Sequence, residues 1–196
     1  MTGKRTRRPR GSLTPGVILE AAEAVAEQGF EALSMRAVAA RLGAVPMALY
    51  NHFATKEELV AALLDRVLGR FEPEPPTDDW IEDLRRFARA HRRLLAHHAW
   101  AVAPIFTNPN PGPGAVRIGE VAFAILRRGE LRDAEAIAAF SGLLALNYGW
   151  ASFTAARNLD PAYGSDEHYD FALEAFVTGL RGLRGGSAGA RAAPPR

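Results

Sequence analysis

Between Leu33 and Lys56 the chain reads LSMRAVAARLGAVPMALYNHFATK. Ser34, Arg36, Tyr50, Asn51, His52 and Lys56 are side chains suited to holding a phosphate backbone and reading base edges, and Val45, Pro46 and Met47 add apolar contacts of the kind made to thymine methyls. An arginine presents a planar fork that matches guanine, an asparagine amide matches adenine, and lysine, tyrosine, serine and helix N-termini bind phosphate. Each has a plainer reading as well: Arg36 can hold a phosphate or an intramolecular partner, Asn51 can simply be solvated, and His52 can serve the interior beside Phe53.

Such chemistry needs a rigid mount. Ser34 can cap a helix whose Met35, Val38, Ala39 and Leu42 fall at i, i+3, i+4 and i+7. Gly43 stands where a helix end favours a left-handed residue, and Pro46 opens a second helix, Pro46–His52, at a position where the missing N–H is harmless. That helix buries Leu49 and Phe53, packs Ala48 closely, and turns Met47, Tyr50, Asn51 and His52 outward. Two short helices joined by a tight turn make a helix-turn-helix.

The flanks agree. Thr14-Pro15 caps a helix to about Gln28 that buries Val17, Ile18, Ala21, Ala22 and Val25, with Gly29-Phe30 as a left-handed stop. Thr55 to Glu58 is a capping box opening a helix to about Phe71, where Leu59, Leu63 and Val67 run beside Val60, Leu64 and Leu68. That double stripe is wide enough to face two neighbours. EPEPPT, residues 72–77, is the best domain boundary. Beyond it the pattern predicts helices at Asp79–His97, Ala115–Arg128 (ended by Gly129), Asp133–Arg157 (capped by Asp133) and Glu167–Arg184. Trp100–Phe106 reads as a short apolar helix or turn interrupted by Pro104, and Thr107–Gly114 as irregular. No strand pattern or internal repeat occurs, so the expected fold is all-α: a disordered basic arm (1–12), a helix-turn-helix DNA-binding domain (13–72), a ligand-binding and dimerisation domain (73–184) and a disordered tail (185–196).

With 196 residues, 48% of them hydrophobic, the chain can build a real core. The absence of cysteine excludes disulfides, thiolate metal sites and cysteine nucleophiles. The five histidines lack metal spacing, and no G-x-S-x-G, P-loop or HExxH is present, so no metal, cofactor or catalytic centre is implied. No signal peptide is visible and no apolar run approaches the ~18 residues of a membrane span, which leads to an expected cytoplasmic, nucleoid-associated setting without membrane contact. Net charge is +2, yet residues 1–56 hold eight basic and four acidic side chains, so the front end suits a polyanion. The arginines of the 79–97 helix (Arg85, Arg86, Arg89, Arg92, Arg93) read as a solvated face partly paired with Glu82.

The stretch 14–71 resembles the DNA-binding segment of the TetR family of bacterial transcriptional regulators. The resemblance rests on Ala21-Ala22, Gly29-Phe30, Ala32-Leu33-Ser34, Arg36, Ala39, Leu42-Gly43, Ala48-Leu49-Tyr50, His52-Phe53, Lys56 and Leu59. A looser similarity to the tetracycline repressor subgroup runs through Asp79-Trp80, Leu84-Arg85, Ala88-Arg89, Leu94-Leu95 and FALEAFVTGL (171–180). It implies a groove-bound helix at Pro46–His52, with Ser34, Tyr50, His52 and Lys56 on phosphates. Positions that hold drug and magnesium in the tetracycline repressor fall here at Phe87, His91 and Ile105, a poor set for tetracycline.

Further expectations follow from the second half. Phe87, His91, Trp100, Phe106, Asn147, Trp150 and Phe153 are candidate walls and anchors of a small-molecule effector pocket, though each alone also reads as core. Gly142, Ala145, Gly149 and Ser152 permit close helix approach, and with Phe171, Leu173, Phe176 and Leu180 they form the candidate seam of a homodimer reading a palindromic operator on double-stranded DNA; the alternative is an intrachain core. The function expected is a ligand-responsive repressor. A sequence-independent architectural DNA binder is the competing reading, with an enzyme a distant third.

Overall fold

A computed structural model describes residues 13–108, 112–156 and 159–190. Among these there is no strand, as expected of an all-α chain. The basic arm (1–12) lies outside the described residues.

The first unit is α1 (Pro15–Ala26), α2 (Met35–Leu42) and α3 (Pro46–Tyr50). Thr14 Oγ1 accepts from the Val17 N–H at 3.3 Å and Ser34 Oγ from the Ala37 N–H at 3.1 Å, so both caps read from sequence are made. Gly43 is left-handed (φ 65, ψ 27), and the Ala44 N–H reaches back to the Ala39 carbonyl at 2.9 Å, closing a Schellman ending. Gly29 also has a positive φ, at 130 with ψ 133, which favours glycine, but it makes no Schellman ending and leads into a single 3-10 turn, Phe30–Ala32. Ile18, Leu33, Val38, Leu49 and Phe53 meet in one buried cluster with Leu59 and Leu63 of the next helix. Each such side chain contributes ~1.5–3 kcal/mol by leaving water.

That next helix, α4 (Lys56–Leu68), carries the double stripe to two neighbours. Leu59 and Leu63 enter the first cluster, Leu64 and Val67 pack with Ala101 and Trp100, and Leu68 and Phe71 join the core of the second unit. Thr55 caps it, accepting from the Glu58 N–H at 3.0 Å, while the Glu58 carboxylate takes the Ala54 N–H, one residue earlier than a standard capping box.

The second unit comprises α5 (Trp80–His97), α6 (Val102–Thr107), α7 (Gly112–Arg128), α8 (Asp133–Ala155) and α9 (Asp166–Ala190). Several boundaries differ from expectation for local reasons. Pro104 sits in the first turn of α6, where no N–H is needed, so it does not interrupt. Thr107 belongs to α6 and Gly112–Gly114 to α7, because the Asp65 carboxylate accepts the Gly114 N–H at 2.6 Å and stands in for a cap. Gly114 is there for proximity: a Cβ would lie 2.7 Å from the Gly69 amide nitrogen. At the other end of α7 the left-handed residue is Glu130 (φ 55), not Gly129. Gly129 is needed because a Cβ there would sit 2.8 Å from the Trp80 indole. Arg132, rather than Asp133, is the N-cap of α8. The last helix continues to Ala190, past the boundary expected at 184; residues 191–196 lie outside the described ones.

Contrary to the sequence expectation, α8 is long and apolar enough to cross a membrane, with a mean hydropathy of 1.2 over eighteen residues. A core helix passes the same test, and α8 packs against α5, α7 and α9. Only 33% of that window is buried, so part of its apolar surface is uncovered within one chain.

Candidate nucleic-acid interface and ligand site

The face of the helix-turn-helix turned away from the core carries Arg36, Val45, Pro46, Met47, Tyr50, Asn51 and Lys56, all exposed. Met47 is 71% and Val45 65% accessible, high for apolar side chains on a unit whose other apolar residues close a core. Ser34, Ala48 and His52 are half-buried. Helix α3 stops at Tyr50, two residues short of the expected end, with Asn51 and His52 in the turn that follows. They still flank the exposed face.

Charge pairing separates this face from that of α5. Among the described residues Arg36 and Lys56 have no acidic side chain within ion-pair distance, whereas the α5 arginines are engaged. Arg85 takes both oxygens of Glu174 at 2.7 and 2.8 Å, Arg89 holds Asp170 at 2.9 Å, and Arg92 holds Asp166 at 2.6 Å while lying 4.4 Å above the Tyr169 ring. Those cations fasten α9 to α5. Glu82, the partner expected from sequence, holds only Arg85, at 3.4 Å.

Six of the seven candidate effector residues are linked by contacts through Tyr148 and Tyr169, and Trp100 packs elsewhere. Phe87, His91 and Asn147 come together: the Phe87 and His91 rings stack at 6.0 Å, and Asn147 Nδ2 lies 3.1 Å from both His91 Nδ1 and the Ala88 carbonyl oxygen. Because a carbonyl only accepts, the amide nitrogen must face it, and Asn147 Oδ1 then accepts from Tyr169 Oη at 2.7 Å. His91 Nδ1 is therefore an acceptor and Nε2 carries the proton, with no partner for it. Burial pulls the His91 pKa down to about 4, so the ring is neutral. Trp150 reaches this group through Tyr169 at 5.7 Å, with its N–H given to the Ser165 carbonyl.

The other three sit at the edge of this group or beyond. Trp100 packs into the junction with α4, Phe106 is 67% exposed with its ring against Tyr148, and Phe153 is exposed between Trp150 and Tyr163. Composition alone could not separate inward from outward aromatics on so apolar a sequence. Tyr148 and Tyr169 belong to the same group and went unselected; the i+4 spacing of Tyr148 from Leu144 carried only a weak signal. Among the described residues no group of three or more histidine and acidic side chains is placed to hold a metal.

Residues 18–63 match the bacterial regulatory proteins of the tetR family, and residues 72–177 match the tetracyclin repressor-like C-terminal domain. The chain belongs to the TetR family. An HTH-type transcriptional regulator of Saccharopolyspora erythraea is 34% identical over 154 residues, covering 78% of this chain and 64% of that protein, so the chain spans under two thirds of that relative's length. Among solved structures, a TetR variant from Acinetobacter baumannii in complex with minocycline superposes with a TM-score of 0.74 at 26% identity, over 88% of this chain and 99% of that one. BioQ with its double-stranded DNA operator gives 0.71 at 26% identity, over 86% and 98%.

On this TetR-family frame the candidate seam residues divide. Ala145, Ser152 and Phe171 (78% accessible) are exposed, and the space beside Gly149 is open. Leu173 is fully buried, and Gly142 is filled from within, since a Cβ there would meet the Phe176 ring at 3.0 Å. Both therefore serve the intrachain core, as Phe176 and Leu180 partly do. Ala138 and Ser141 of α8 and Ala175, Thr178 and Gly179 of α9 share the exposed side and were not singled out from sequence.

Proposed function

We propose that this chain is a ligand-responsive, DNA-binding transcriptional regulator, acting as a repressor that binds a palindromic operator as a homodimer and is released by a small, fairly apolar effector. The observation that carries the reading is the exposed face of α2, α3 and the start of α4, where Arg36, Tyr50 and Lys56 stand without acidic partners among the described residues, around apolar Val45 and Met47. Arg36 is the base-reading side chain, Val45, Pro46 and Met47 contact thymine methyls, Asn51 is positioned for adenine, and Ser34, Tyr50, His52 and Lys56 hold phosphates. The operator carried by the BioQ structure supports a DNA partner for a fold of this kind.

A single helix-turn-helix touches too few base pairs to select a site, and a two-fold dimer with recognition helices ~34–36 Å apart, or a multiple of that, doubles the reading. Support for the dimer comes from the uncovered side of α8 and α9, where Ala145, Gly149, Ser152 and Phe171 lie. For release, the effector must favour the DNA-incompetent spacing; a ~100-fold loss of affinity needs ~2.7 kcal/mol of differential binding. Minocycline in the related Acinetobacter structure supports a small-molecule partner, and the Phe87–His91–Asn147 group offers this chain one neutral N–H donor among aromatic rings.

Selection from a random duplex library with the full chain tests the reading. The expected product is an enriched inverted repeat; a library that enriches nothing supports the architectural alternative, whose affinity hardly depends on sequence.

A further inference from the structure

A cavity of about 320 Å³ lies beneath the linker between the two units. Pro73, Pro75 and Pro76 roof it, and Phe87 of α5 with Val121 and Ile125 of α7 line it below. Volumes of this size are typical of small-molecule sites. It is not the group around His91 and Asn147 described above; only Phe87 is common to both.

The charges at its rim cancel among themselves. Arg86 Nε donates to Glu74 at 2.6 Å and Nη1 to the Pro75 carbonyl at 3.2 Å. Arg128 pairs with Asp83 and with the Thr77 carbonyl, and the Asp83 carboxylate also accepts the Thr77 N–H at 2.9 and 3.1 Å. Burial alone would raise the Asp83 pKa, but the Thr77 and Arg128 contacts hold it below the usual carboxylate range. Rim charges satisfied in this way offer no net field to an ion. The walls, by contrast, are proline rings, an aromatic ring and aliphatic side chains, which reward flat apolar surface.

We propose that this hinge cavity is a binding site for a neutral, ring-containing apolar small molecule. The location gives such a molecule leverage. Phe87 meets Phe71 edge-to-face at 5.2 Å, and Phe71 lies three residues past α4, the helix whose other end joins the DNA-binding unit. A guest that shifts Phe87 or lifts the proline roof therefore acts on the end of α4. The consequence for DNA rests on the regulator reading; the binding does not.

Titrating the full chain with N-phenyl-1-naphthylamine, a neutral aromatic fluorophore, tests the site without DNA. A saturable, blue-shifted enhancement is expected. Ala124 is an exposed lining residue, so Ala124→Trp fills the cavity without entering the core and weakens probe binding by about tenfold or more, at unchanged circular dichroism and Tm. Ala124→Leu is the milder variant should the tryptophan disturb folding, with a smaller loss in the same direction. Val116→Trp, exposed eight residues earlier on α7 and not among the lining residues, leaves binding intact. No saturable enhancement in the wild type, or unaltered affinity in both Ala124 variants, overturns the site. Probe binding that leaves DNA affinity unchanged upholds the site and overturns its coupling to α4.

Discussion

Arg70, just past α4, grips both carboxylate oxygens of Glu23 on α1 and at the same time lies 3.1 Å from His98 Nε2 in the second unit. Burial alone would raise the Glu23 pKa, but the hydrogen bond and charge of Arg70, with His98 and Arg66, outweigh it and hold the carboxyl below its ordinary value. Burial, then Arg70, push His98 down, so its ring is the acceptor. One guanidinium thus ties the DNA-binding unit to the second unit where the lever helix ends.

Removing that guanidinium leaves the buried Glu23 without its two short hydrogen bonds, with Arg66 at 3.7 Å as its remaining cation. Arg70→Ala is expected to lower stability by about 1–2 kcal/mol, below the ~3–5 of a fully buried pair because Arg70 is partly solvated. Urea unfolding of Arg70→Ala, Glu23→Gln and the double variant checks it: the double change should be far less than additive.

A second prediction concerns pH. The folded pKa of His91 is depressed, so between its unfolded value near 6.5 and about 4 the unfolded chain binds the extra proton. Its contribution therefore destabilises the fold as pH falls through that window and is absent above it. From pH 7 to 5 the wild type should lose about 2 kcal/mol that His91→Leu does not. His98 is depressed in the same direction and adds slope to both proteins, so the difference between them is the readout.

The DNA-facing residues make separable predictions. Tyr50→Phe and Lys56→Ala should weaken binding to all duplexes alike, and Lys56→Ala should also reduce the salt slope by about one. Arg36→Ala should cost about 1–3 kcal/mol at one base pair and relax preference there. Fluorescence anisotropy on matched and singly substituted duplexes distinguishes them; a uniform loss for Arg36→Ala would make it a phosphate contact.

How much of this was legible beforehand depended on whether a feature was local. Thr14, Ser34, Gly43 and Thr55 were read correctly because a cap or a left-handed stop is decided within a few residues. The two stripes of α4 were visible in its periodicity. What failed was decided by distant partners. Gly129 follows the last residue of α7 as read, but that its missing Cβ admits Trp80 was not legible; Gly142 looks like a dimer contact but admits Phe176, and α7 begins at Gly112 because Asp65 caps it from another helix. Phe153 came out exposed because α8 is apolar on almost every side, so its sequence could not say which side faced inward.

Gly129 offers a direct check of that distinction. Gly129→Ala should destabilise by about 1–3 kcal/mol through overpacking against Trp80, whereas Glu130→Gly, at the left-handed position, should stay within about 1 kcal/mol of wild type. Thermal unfolding of the two variants measures it; the reverse order would mean that the turn at Glu130, and not the approach of Trp80 to Gly129, governs stability here.

The dimer prediction uses two neighbours on α9. Phe171→Asp should yield a monomer by light scattering with its fold intact, since the side chain is exposed. Leu173→Ala should instead lower stability by about 2–5 kcal/mol, as its side chain is fully buried. If Phe171→Asp stays dimeric, the seam lies elsewhere.

Footprinting the full chain on the DNA upstream of its own gene bears most directly on the central claim. A dimer reading DNA through α2 and α3 predicts a discrete, two-fold symmetric protected segment whose half-sites are centred one helical turn, or a multiple of it, apart. Diffuse protection that merely follows protein concentration, with no symmetric boundary, would contradict it.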